Sequence, residues 1–221
     1  MPRPRARAAT PASRPPSEMA GADARERVPF IGLTGGIAAG KSEALLALER
    51  LGAAVLSTDA VVHELLAADE ARDELVRRLG DDVAPGGKLD RDAVAAIVFE
   101  RPDDRAWLEE YLWPRVGRRV ADWRDAEVRR DPAPRATVVE VPLLFESGME
   151  PVFDHTIAVI ATDDVRAERA GERGHTGVAS REARQLSQEQ KAERADYAVR
   201  NDGSLDELER ELSAILERIE A

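Results

Sequence analysis

Apolar residues in this chain follow two spacings, and the two alternate. Short runs rich in branched side chains predict five strands. The first is built on Val28, Phe30, Ile31 and Leu33 and stops at Thr34. The others are residues 53–56, 137–141 and 156–160, with a short fifth strand that residues 195–199 lead into. Between the strands, apolar positions recur every three or four residues, as on one face of a helix. Ala44, Leu45, Leu48 and Leu51 mark a helix ended by Gly52. Residues 60–67 and 70–79 give two more, the second closed by Gly80. Asp90 is placed to cap a helix bearing Val94, Ile97 and Val98 on one face. Pro102-Asp103 opens a longer one with Trp107, Leu108, Tyr111 and Leu112 at core spacing, which Pro114 is expected to kink or divide. A further helix begins at Asp163 or Asp164, and Ser204-x-x-Glu207 is a capping box for the last.

Strands alternating with helices predict an α/β domain on a five-stranded parallel sheet, covered by helices on both faces to make three layers. Residues 65–130 read as a mostly helical insertion between the second and third strands. Insertions at the carboxyl edge of such sheets commonly hold a second substrate. Residues 1–27 are rich in Pro, Arg and Ala without apolar periodicity and read as a disordered tail.

The totals narrow the chemistry. The formal net charge is −11 over 221 residues, which argues against general nucleic-acid binding. No cysteine is present, so disulfides and thiolate sites are excluded, and His63, His155 and His175 show no metal-ligand spacing. No apolar run approaches the roughly 20 residues of a membrane span, and a soluble cytoplasmic protein is the expectation.

Against that background one stretch stands out. Residues 30–42 read FIGLTGGIAAGKS, which is G-x-x-x-x-G-K-S set between a strand and a helix. Gly35, Gly36, Ile37, Ala38, Ala39 and Gly40 can fold round a phosphate with their amides inward, and the helix N-terminus adds positive potential. Lys41 can reach β/γ-phosphates, and the Ser42 hydroxyl is placed to bind Mg²⁺. The chain's only lysines are Lys41, Lys88 and Lys191, so a chain that otherwise writes arginine has a lysine at this loop. A nucleoside triphosphate is the implied ligand, and the fold class becomes that of the P-loop NTPases. Asp59 falls at the carboxyl end of the second strand and so faces the same crevice as Lys41, although Asp59 or Ser57 would also serve as a helix cap. Glu140, inside the third strand, needs a partner: a Mg²⁺-bound water, a substrate hydroxyl or an ion pair. Arg166, Arg169 and Arg173 recur along one helix ahead of a glycine-rich polar stretch with Arg181 and Arg184. That suits a lid whose arginines stabilise phosphoryl charge.

As a whole the chain resembles the dephospho-CoA kinase family, through IGLTGGIAAGKS, the strand ending at Asp59, GGKLDRDAVAAIVFERPDDRAWLE, VVEVPLLFESGM, the Arg169/Arg173 segment and KAERADYAVRNDGS. The resemblance implies a domain over residues 28–221, with a nucleotide core at 28–64 and 135–221, a helical CoA insertion at 65–134 and a lid at about 169–190. It implies phosphorylation of the 3′-hydroxyl of dephospho-CoA with ATP and Mg²⁺, by a monomer or weak homo-oligomer with no nucleic-acid or membrane partner. It assigns catalysis to Asp59, Lys41, Arg169 and Arg173, nucleotide contacts to residues 35–42, Glu43 and Asn201, and the metal to Ser42. Ser57, His63, Glu43 and Trp113 stand where the family usually carries other residues. Ser57 and His63 are expected near the reacting centre, where they bear on acceptor recognition. A kinase for another small alcohol and a nucleotide-responsive binding protein are the alternative readings.

Overall fold

A computed structural model describes residues 28–172 and 185–221. The expected tail, and Arg173, Arg181 and Arg184 of the expected lid, lie outside the described residues. Five strands form one sheet: β1 (Phe30–Gly35), β2 (Ala54–Ser57), β3 (Thr137–Glu140), β4 (His155–Ile160) and β5 (Tyr197–Arg200), in the order β2-β3-β1-β4-β5. Every pairing is parallel. The chain passes from central β1 first to one side and later to the other. The switch point, where parallel sheets open a crevice, therefore lies at the carboxyl end of β1.

The strand pleat divides the core. Ile31, Leu33, Val138, Ile157 and Val159 face one layer with α1 (Lys41–Arg50) and α8 (Leu205–Glu220). On the opposite face Phe30, Val139, Val141, Leu144 and Phe153 make a second cluster against Val120 and Trp123. Those two belong to α5 (Pro102–Glu127). A third core, separate from the sheet, gathers Leu66, Leu75, Val83, Val94 and Leu112, with Trp107 packed on it. It joins α5 to α2 (Thr58–Leu66), α3 (Asp69–Leu79) and α4 (Arg91–Glu100). Asp90 caps α4 by accepting from the amides of Asp92 and Ala93, and Ser204 caps α8 in a full capping box.

Pro114 does not divide the helix, since α5 runs through it as one element. A proline inside a helix strands carbonyls one turn back. Here Glu110 and Pro114 are exposed, so the freed carbonyls face solvent, and Arg115 Nη1 donates to Tyr111 O at 2.7 Å. Two shorter helices follow β4: α6 (Asp163–Glu172) and α7 (Gln188–Arg194). Among the described residues no helix is long and apolar enough to cross a membrane.

Candidate active site

The glycine loop is shaped by what surrounds it. A Cβ on Gly35 would stand 2.3 Å from the carbonyl oxygen of Val159, its neighbour on β4, so the strand end approaches too closely for any side chain. Ala38 (φ 59°) and Gly40 (φ 94°) are both left-handed, a sequence of turns that aims main-chain amides into one concavity. No side chain caps the N-terminus of α1, which leaves its first amides and positive end for a ligand. The Lys41 ammonium lies across the loop, donating to Gly35 O at 3.3 Å and Gly36 O at 3.1 Å. Ser42 is exposed in the same first turn, and Glu43 follows it half-buried.

Distant residues fasten this loop. Asn201, 2 % exposed, donates from Nδ2 to Ala39 O at 2.9 Å, and Arg169 Nη1 donates to Asn201 O at 3.0 Å. Arg166, one turn earlier on α6, donates from Nε to Ile37 O at 2.9 Å and pairs with Asp163. Gln188, against Gly36, exchanges two hydrogen bonds with Ala161. Arg166, read from the sequence only as one of the lid arginines, is thus a contact of the loop itself, on the same helix face as Arg169 three residues on. Asn201 reaches the loop backbone and Arg169 reaches Asn201, so both bear on the phosphate site from behind.

Across the crevice stand the carboxylates. Glu140 ends β3 at 8 % exposure, opposite Leu33 of β1 and Ser57 of β2. Burial pushes its carboxyl above the usual glutamate value, opposed by the Lys41 charge and a hydrogen bond with Ser57. The Ser57 side chain therefore serves Glu140, and no side chain caps α2. Asp59 lies in the first turn of α2, where its charge acts on both Lys41 and Glu140. Lys41 itself is pulled below the usual lysine value, chiefly by burial and then by the cations Lys191 and Arg166, against Glu140 and Asp59. The structure thus brings Lys41, Asp59 and Glu140 to one crevice.

Lys191 is the residue no local pattern pointed to. Fully buried on α7, it donates to Pro142 O at 2.6 Å and pairs with Glu146 at 3.1 Å. Glu146 also accepts from the Leu186 amide at 2.8 Å, tying the turn after β3 to the chain that enters α7.

From Asp59 an apolar cavity of about 430 Å³ runs beneath α5, lined by Val62, Trp113, Val116, Val141 and Phe153 among others. His63 departs from expectation. It lines not this cavity but a second one of about 240 Å³, where it contacts Arg91. Among the described residues no group of three or more His, Cys, Asp or Glu side chains gathers as a metal site.

A 2-3-1-4-5 parallel sheet with a glycine-lysine-serine loop after its central strand, an aspartate across the crevice and arginines on the loop defines a P-loop kinase of small molecules. The comparisons make the class specific. A profile described as dephospho-CoA kinase matches residues 29–207, and the chain belongs to that family. It is similar to the dephospho-CoA kinase of Symbiobacterium thermophilum, 39 % identical over 84 % of this chain and 79 % of that one. The Thermus thermophilus dephospho-CoA kinase is 37 % identical over 85 % and 90 %. A crystal structure from Thermus thermophilus superposes with a TM-score of 0.74 at 35 % identity, covering 87 % of this chain and 98 % of that one. The Campylobacter jejuni dephospho-CoA kinase, 23 % identical over 87 % and 98 %, shares the fold with a TM-score of 0.59.

Proposed function

We propose that this protein transfers the γ-phosphoryl group of ATP to the 3′-hydroxyl of dephospho-CoA, giving coenzyme A and ADP. The observation that carries the reading is the placement of Asp59 beside Lys41 at the mouth of a cavity large enough for an organic acceptor. The loop amides from Gly36 to Ser42 hold the ATP phosphates, and Lys41 exchanges its two loop carbonyls for phosphate oxygens. Asn201 and Arg169 keep the loop in shape, while Arg166 adds charge at its rim.

The residues fit a phosphate-bound Mg²⁺: α1 presents an exposed Ser42 hydroxyl at its uncapped end, and two carboxylates face the same crevice. Bound there, the ion would neutralise charge on the β- and γ-phosphates. Asp59 accepts the proton of the 3′-hydroxyl as its oxygen bonds to the γ-phosphorus and the bond to the β,γ-bridging oxygen breaks. The transition state of such transfers is loose, so positioning and charge neutralisation supply most of the acceleration.

Asp59→Asn tests the assignment. It should lower kcat with dephospho-CoA by about 10²-fold, the lower range for a general base, while ATP affinity measured by calorimetry stays unchanged. Undiminished turnover in that variant would refute the role of Asp59. A panel of other alcohols turned over in preference to dephospho-CoA would refute the acceptor.

A further inference from the structure

The second cavity has a chemistry unlike the first. Its wall carries His63, Arg72, Lys88 and Arg91 against a single carboxylate, Asp69. Asp69 is already taken by Arg72 at 2.6 Å, and Arg72 is held further by Asp73. Among the described residues neither Lys88 nor Arg91 has a carboxylate partner. Arg91 instead faces His63, two nitrogen-rich groups with no acid between them. In a chain with a net charge of −11, two cations left side by side without acids form a local exception to the overall field.

Two further features suit an anion. Gly87 lines the cavity with a left-handed φ of 80°, and nothing lies within 4 Å of where its Cβ would be, so a ligand can approach the main chain. Finally, His63 is four residues after Asp59 on α2, on the same face and about 6 Å further along the axis.

We infer that this pocket binds the diphosphate of the acceptor, with Lys88 and Arg91 as its principal contacts. The inference rests on the reading of dephospho-CoA as acceptor, whose diphosphate hangs from the same ribose as the 3′-hydroxyl. The ribose is then held from three sides: its hydroxyl at Asp59, its base in the apolar cavity by Trp113, and its diphosphate one helical turn along α2. Two phosphates bound by cations also fix which hydroxyl meets Asp59, so the pocket sets specificity as well as affinity.

The test is the double variant Lys88→Met/Arg91→Met, assayed with dephospho-CoA, with adenosine as a competing ligand that carries the same hydroxyl and base but no diphosphate. The KM for dephospho-CoA should rise tenfold or more, with the KM for ATP, the melting temperature and the Ki of adenosine unchanged. An unchanged KM for dephospho-CoA overturns the inference. So does an equal rise in KM and in the Ki of adenosine, which would mean that the two residues only support the helical subdomain. Wild-type protein that leaves dephospho-CoA unphosphorylated would instead overturn the acceptor reading itself.

Discussion

Replacing Lys191 with methionine probes how the site is held together. The ammonium has no exposure and two partners, Pro142 O at 2.6 Å and Glu146 at 3.1 Å. Burial lowers its pKa, and this effect outranks the attraction of Glu146. The pair therefore contributes little net stability over an apolar replacement of the same volume, the usual balance for buried ions. Removing one partner is a different matter. Methionine fills the volume but leaves Glu146, whose side chain is 14 % exposed, with only the Leu186 amide on one oxygen, while its other oxygen is already buried without a hydrogen bond. Stranding such a charge costs about 3 kcal/mol or more. At 2–4 °C per kcal/mol for a protein of this size, melting should fall by roughly 6–12 °C, measured by calorimetry near neutral pH. The double variant Lys191→Met/Glu146→Gln should recover most of that loss. A single variant melting with the wild type, or a double variant no more stable than the single, would refute the reasoning.

Gly40→Ala should abolish measurable ATP binding by calorimetry, since the added Cβ would stand 2.0 Å from Asn201 Nδ2 at a left-handed φ of 94°. Moving Asn201 aside breaks its bond to Ala39 O, so the variant should also melt a few degrees lower. Glu140→Gln links charge to pH. A carboxyl raised by burial favours folding while protonated, and that contribution is lost as pH rises through the folded value. Relative to Glu140→Gln, the wild type should therefore lose stability from about pH 4 upward, and thermal melts of both proteins across that range give the comparison.

The phosphate loop was legible because its chemistry is local: consecutive residues supply the glycines, the lysine and the hydroxyl, and the flanking periodicities show strand and helix. The parallel sheet was legible for the same reason, since alternation of the two spacings leaves few topologies. What the sequence concealed lies between residues far apart. Lys191 looked like one of three scattered lysines until the fold set it on Pro142 and Glu146. Arg166 read as one of several lid arginines, and only the fold showed that it grips Ile37 of the loop itself. Ser57 read as a cap, but sheet register placed it opposite Glu140, which took its hydroxyl. Pro114 does not divide α5, and periodicity alone did not show that its side of the helix is exposed.

The bond from Asn201 to Ala39 spans 162 residues. On the ribosome, the glycine turn emerges well before its tether, with nearly all of the lining of both cavities made in between. A nascent chain stopped short of β5 carries every residue of the turn and the Arg166 contact to Ile37 but lacks the Asn201 clasp on Ala39, so nucleotide capture waits until Asn201 has been made.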